Sequence, residues 1–412
     1  MKRRDFLQRT LQYSAAGLLV PSFLRHGGWL DPATAQAASD LLAGQILVLV
    51  NLSGGNDGIN MVPPYLDPVY YQVRPNLAIP ADQVVPIANG TGLHPSLAPL
   101  QAFHTEGKLA VIQGVGYPSM NLSHFRGTDI WFSGSSAEAV ISTGWLARFL
   151  ERLYPEFPDL KPESPFALQQ ALAHRIPLTG DRGVTGVIVD DPSTFFALVN
   201  GSYSGEWSDE LPDTRGGDEL TYVREIDQDT FEYAAAIQNA SENGTNTVVY
   251  PQSTLGGQLE IVARLISGGL GTPIFLTAEF GFDTHAQQAA SHAQILGSVG
   301  SSVAAFLNDL RNQGLSQRVL VLTQSEFGRR VSENGSLGTD HGTAAPMLAV
   351  GDPVAGGVFG TNPDLTNLDP NGNLLIQHDY RAVYQTVLQN HFGASGAVAQ
   401  DVLYGDFGTI PF

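Results

Sequence analysis

Residues 45–52, Gln-Ile-Leu-Val-Leu-Val-Asn-Leu, run almost without polar interruption and stop in Ser53-Gly-Gly-Asn56-Asp57-Gly58. A strand that is aliphatic at nearly every position needs apolar neighbours on both faces, which is the condition of a buried parallel strand and not of a half-solvated one. Shorter apolar runs at 108–113, 273–278, 318–323 and 347–350 read as further strands, and helical patterns cover 95–106, 286–312 and 380–391. This alternation predicts an α/β chain with a mostly parallel central sheet. No internal repeat is present. Residues 201–250 are dominated by Gly, Ser, Asp and Glu, with one short helical pattern near 231–238. They read as an acidic insertion or lid on a single domain spanning 43–412.

The amino terminus carries a different message. Lys2, Arg3 and Arg4 precede a weakly apolar stretch from Leu11 to Leu24, and Ala35-Gln36-Ala37 supplies a small-x-small cleavage pattern. This order reads as a twin-arginine signal peptide over 1–37, cleaved after Ala37. The apolar stretch is shorter than the roughly 20 residues a spanning helix requires, so no permanent membrane anchor is expected. The expected partner during export is the twin-arginine translocase, and the expected location is periplasmic or secreted. Cleavage removes five Lys/Arg and two Asp, which moves the formal net charge from -19 to -22. So acidic a chain repels nucleic acid and anionic lipid. The absence of cysteine excludes disulfides, thiolate metal sites and a Cys nucleophile.

In an open parallel sheet, ligands bind beyond the carboxyl ends of the strands. The residues that follow each apolar run there are polar. Asn56 and Asp57 follow the first; Asn121, Ser123, His124 and Arg126 follow the second; Glu279, Asp283 and His285 follow the third; Ser325, Glu326 and Arg329, then Asp340 and His341, follow the fourth. Carboxylates and imidazoles converging on one sheet edge suit one or two divalent ions, either Zn²⁺ or, with more oxygen ligands, Mg²⁺, Mn²⁺ or Ca²⁺. Asp283 and His285 are two apart, so in an extended stretch both face one side. Asp340 and His341 are adjacent, and Gly338 and Gly342 allow the loop that aiming both inward requires. Ser123 is either a metal-activated nucleophile or a helix N-cap ahead of 124–131. Arg126 and Arg329 either clamp an anion or pair with Asp129 and Glu333. His94, His104, His174, His292 and His391 lack acidic or glycine context and are expected to be structural or exposed. His378, beside Asp379, is a further ligand candidate.

Five motifs in order, Leu52–Gly58, Ser123–Phe125, Gly281–His285, Ser325–Arg329 and Gly338–Gly342, resemble the bacterial exported family catalogued as domain of unknown function 1501. The resemblance covers essentially everything after the signal. That family is in turn similar to the alkaline phosphatase and sulfatase superfamily, which implies a three-layer α/β/α sandwich, bound metal and hydrolysis of phosphate or sulfate esters of small molecules or glycans. By position it implies metal ligands at Asp57, Asp283, His285, Glu326, Asp340 and His341 and a nucleophile at Ser123; His124 and Arg126 beside it are further catalytic candidates. Two alignments of the last ligands are open: Asp340-His341-Gly342 matches an Asp-His-Gly motif, or Glu326 takes the aspartate's place and His341 is a later ligand. Ser123-His-Phe-Arg126 lacks the proline of formylglycine sulfatases. A non-catalytic exported binding or cell-surface assembly protein on the same fold is the alternative, as is a purely structural metal.

Overall fold

The protein is described by a computed structural model at residues 44–88, 90–155, 157–158, 162–170, 174–190, 220 and 233–412. The signal read at 1–37 lies outside the described residues, as do 201–219 and 221–232 of the acidic stretch.

Among the described residues thirteen strands occur in chain order: β1 Ile46–Ser53, β2 Val85–Ala88, β3 Thr91–Leu93, β4 Leu109–Gly116, β5 Ala167–Gln169, β6 Gly186–Ile188, β7 Ile274–Phe280, β8 Val319–Gln324, β9 Gly328–Arg329, β10 His341–Gly342, β11 Ala345–Val350, β12 Gly357–Phe359 and β13 His378–Asp379. Nine of them form one sheet in the order β12-β4-β11-β8-β1-β7-β5-β6, with β13 also pairing with β4. β2 with β3 and β9 with β10 make two separate two-stranded ribbons.

The first apolar run occupies the middle of this sheet, and its composition follows from where its side chains go. Alternate residues of a strand point to opposite faces. Leu47 and Leu49 enter one core, with the helices Trp145–Leu153 and Tyr380–Thr386; Ile46, Val48, Val50 and Leu52 enter the other, with the helices Thr254–Ser267 and Gln288–Asn312. Helices on both faces of the sheet make the three-layer sandwich expected from the sequence. Residues 233–243 are helical, and Tyr233, Ala234, Ile237 and Ala240 belong to the second core.

All but one of the nine strands run the same way. β1 is parallel to β7 and β8, and β5 to β6 and β7, whereas β11 is antiparallel to both β4 and β8. The exception has a physical cause. A parallel return needs a crossover, usually helical, and residues 325–344 between β8 and β11 contain only the β9–β10 ribbon and turns. The consequence is that the carboxyl ends of β1, β4, β7 and β8 and the start of β11 all open on one edge. Among the described residues no helix is long and apolar enough to cross a membrane.

Candidate metal centre

Four loops meet at that edge because glycines let their backbones touch. Gly54 has φ +125°, and a Cβ there would lie 2.4 Å from the Asp283 nitrogen, so the turn after β1 and the loop after β7 cross in contact. A Cβ on Gly338 would lie 2.2 Å from the His285 carbonyl carbon, which brings the segment before β10 equally close. Arg329 ties the crossing together. It is buried and donates to the carbonyls of Gly55 (2.6 Å), Gly54 (2.5 Å), Thr339 (2.8 Å) and Phe282 (3.1 Å), and to Asp283 Oδ1 (2.7 Å). Its guanidinium is therefore consumed as a staple and neither clamps an anion nor pairs with Glu333.

Around Asp283 stand three imidazoles. Nε2 of His285 is 3.1 Å and Nε2 of His341 is 3.3 Å from Oδ1, and Nε2 of His124 is 3.5 Å from Oδ2. The two nitrogens of His285 and His341 are 3.0 Å apart. The ligand-capable atoms of His124, Asp283 and His341 all lie within 4.8 Å of one another. What each ring does with its other nitrogen decides the chemistry. His341 Nδ1 lies 2.9 Å from the Leu122 carbonyl oxygen, and a carbonyl can only accept, so Nδ1 carries the proton. His124 Nδ1 faces Glu326 Oε1 at 2.9 Å, and His285 Nδ1 faces Asp340 Oδ1 at 3.5 Å. All three rings thus have Nδ1 turned to an oxygen acceptor, and three Nε2 lone pairs point at a carboxylate.

The electrostatics differ from ring to ring. Burial holds His341 below its ordinary range despite the Leu122 carbonyl and Asp283. The hydrogen bond to Glu326 raises His124 above its ordinary value. Burial works to raise the Asp283 carboxyl, but Arg329 and His341 outweigh it and lower it. Among these groups only Arg329 donates into the cluster, so the lone pairs repel unless a cation or protons lie between them. Imidazole nitrogens with their outer N–H groups fixed on carboxylate or carbonyl oxygens are the arrangement of histidines that bind a metal. Three imidazoles and one carboxylate suit Zn²⁺ better than the oxygen-seeking Mg²⁺ or Ca²⁺.

The expected ligands fall in three places. Asp283, His285 and His341 meet in the cluster, and His124, expected as a catalytic group, joins them there. Glu326 and Asp340 lie behind it, on the Nδ1 side of His124 and His285. Glu326 is held by the Gly54 N–H (2.9 Å) and the Ser325 hydroxyl (3.3 Å). Asp57 is elsewhere: fully buried, it accepts from Arg74 Nη1 at 2.6 Å and Gln288 Nε2 at 2.5 Å. Burial opposes its charge, but Arg74 prevails and holds its carboxyl below the usual range. Ser123 is the N-cap residue of the helix His124–Ser133, its side chain making no capping bond. Arg126 donates to the carbonyls of Ala137 (3.4 Å) and Ala139 (2.5 Å) and not to Asp129, which is 3.3 Å from His174. His378 lies on β13, outside the cluster. His94 accepts from the Ser96 N–H, His292 contacts Asn56, and His391 donates to the Ile46 carbonyl. These three are structural, as their context implied.

The cluster opens into a cleft of 430 Å³ whose wall includes Asn51, Ser53, His124, Phe125, Thr128 and Asp283. Ser123 is not part of that wall, and no Lys or Arg lines it among the described residues.

Fold and site together define an α/β sandwich with a histidine–aspartate cluster at the carboxyl edge of a mostly parallel sheet. The model of the family described as "Protein of unknown function (DUF1501)" matches residues 225–402, which include the motifs at 281–285, 325–329 and 338–342. The resemblance drawn from those motifs is borne out. No curated protein matches the chain. Similar solved structures include the C-terminal periplasmic domain of EcEptC from Escherichia coli in complex with Zn, at 9% identity and TM-score 0.34, covering 75% of this chain and 73% of that one. The lipoteichoic acid synthase LtaP from Listeria monocytogenes is 8% identical at TM-score 0.35, over 90% and 81% of the two chains. The PsFucS1 sulfatase from Pseudoalteromonas sp. is 10% identical at TM-score 0.36, over 92% and 75%. These likenesses are distant, and the chemistry of the site rests on its own residues.

Proposed function

We propose that the protein is an exported metal-dependent hydrolase of phosphate or sulfate esters, with a divalent cation, Zn²⁺ by its donor set, held by Nε2 of His124, His285 and His341 and by Asp283. The observation that carries this reading is the orientation of the three imidazoles, each with Nδ1 on an oxygen acceptor and its Nε2 lone pair aimed at one carboxylate. Those four side chains would hold a cation whose Lewis acidity would make a water a better nucleophile at neutral pH.

The chain's own residues set the rest. Glu326, the Leu122 carbonyl and Asp340 fix the tautomers of the three histidines. Arg329 holds Asp283 ionised. Water is the nucleophile this arrangement favours, since Ser123 is off the cleft wall. In the hydrolysis its oxygen bonds to phosphorus or sulfur, the bond to the ester oxygen breaks, and the departing alcohol takes up a proton. Elemental analysis of protein purified without chelator tests the reading: about one equivalent of metal, lost in His341→Ala, is expected. A metal-free protein whose stability ignores EDTA overturns it.

A non-catalytic binding role on the same fold is favoured by one observation: among the described residues no guanidinium or ammonium lines the cleft wall to grip an anionic group. It predicts bound metal without turnover of any phosphate or sulfate ester. Export by the twin-arginine route is proposed from the order of residues 1–37 alone.

A further inference from the structure

The cleft also carries information about what lies beyond the reacting group. Phe125 is 86% exposed and Phe280 45% exposed, the only two exposed phenylalanines among the described residues, and both line this cleft. They arrive from unrelated elements. Phe125 is in the first turn of the helix His124–Ser133, whose Ile130, Trp131 and Phe132 are buried. Phe280 ends β7 and is the one exposed residue of that strand. Single exposed apolar side chains are ordinary on protein surfaces. Two aromatic rings sharing one concave wall, with Phe125 next in sequence to the cluster residue His124, are not.

The charge of the wall points the same way. Among the described residues no Lys or Arg lines the cleft, and the chain without residues 1–37 has a formal net charge of -22. A polyanionic ligand is repelled by such a field. Apart from His124, Asp283 and Glu326 of the cluster, the wall's polar side chains are Asn51, Ser53, Thr128 and His174, the last already paired with the Asp129 carboxylate at 3.3 Å. The part of a ligand that lies along this wall is therefore uncharged and presents a flat apolar face to aromatic rings.

Resting on the hydrolase reading, we infer that the substrate is an ester whose alcohol carries an uncharged ring, aryl or sugar, with its apolar face against Phe125 and Phe280, and that highly charged glycans are excluded. Phosphonates, which resist hydrolysis, test it by calorimetry on zinc-loaded protein. Phenylphosphonate and a pyranosyl phosphonate are compared with methylphosphonate. At least one ring ligand is expected to bind about tenfold more tightly than methylphosphonate, and the preferred ring distinguishes aryl from sugar. The preference is expected to fall to about one in the double variant Phe125→Ala/Phe280→Ala, which should fold normally because both side chains are exposed; an unchanged melting temperature checks this. Equal affinities in the wild type, or a preference that survives the double substitution, overturn the inference. Saturation-transfer NMR with phenyl glucoside, an uncharged ring, reads the aromatic wall with or without metal. Transfer lost in the double variant supports the inference and no transfer to wild-type protein overturns it, whereas zinc stoichiometry on the same samples judges the metal centre separately.

Discussion

At the scale of single residues, the carboxylates near the cluster have three different jobs, and substitution separates them. Asp283 touches the Nε2 atoms of the histidines, Glu326 orients His124 through Nδ1, and Asp57 neutralises Arg74 in the protein interior. Glu326→Gln keeps the shape but weakens the acceptor, so zinc affinity measured by competition with a chromophoric chelator should fall by roughly 10- to 100-fold, the usual cost of losing an orienting partner. Asp57→Asn should leave zinc stoichiometry unchanged and cost about 3–5 kcal/mol in urea unfolding, because it strands a buried guanidinium. Loss of metal without loss of stability would instead place Asp57 among the ligands. His292 gives a pH signature of its own. Burial lowers it to about 4 from an ordinary value of 6.5, so the folded state keeps it neutral while the unfolded chain takes up a proton below pH 6.5. Its contribution to stability is full above pH 6.5 and falls away as the pH drops towards 4, by about 3 kcal/mol at roughly 1.4 kcal/mol per pH unit. Unfolding free energies at pH 7 and pH 5 should differ less in His292→Gln than in wild type.

At the scale of elements, the site is made by loops that cross where a side chain has no room. Gly338→Ala puts a methyl group into the His285 backbone. The segment before β10 must then retreat, carrying His341 away from Asp283. Weaker zinc binding with secondary structure intact by circular dichroism is the expected outcome, and wild-type affinity would show that the crossing tolerates more than the geometry allows. The same crossing explains what could be read from the sequence. β1, β7 and β8 are legible because both faces are buried and their leading residues, 46–50, 274–276 and 319–322, are all apolar, and the loop motifs are legible because they follow those runs. β5 and β6, three residues each, are too short to show a period. The reversed direction of β11 was invisible because it depends on a missing crossover, which leaves no local pattern. The pairing of Asp57 with Arg74, 17 positions on in a stretch with no motif, leaves no local pattern in the sequence. The contact of His124 with Glu326, 202 positions away, likewise exists only in the fold.

At the scale of the whole molecule, the four proposed ligands come from positions 124, 283, 285 and 341, so the unfolded chain has no centre to offer and metal binding is folding free energy. Free zinc at 1,000 times its dissociation constant stabilises the folded state by about 4 kcal/mol, and EDTA should lower the melting temperature by several degrees in wild type but not in His341→Ala. This coupling gives the proposed export route a physical purpose. A chain that folds before crossing the membrane takes its metal from the cytoplasm, whereas one exported unfolded takes whatever ion is present outside. If the twin-arginine reading of residues 1–37 holds, the exported protein begins at Ala38, and replacing Arg3 and Arg4 with Lys leaves the full-length precursor inside the cell. Fusing residues 38–412 to a signal for unfolded export should then yield protein with altered metal content under the same growth conditions. Elemental analysis of the two preparations decides the point: identical metal would show that the route does not select the ion, and the centre's own three-imidazole donor set would have to do so unaided.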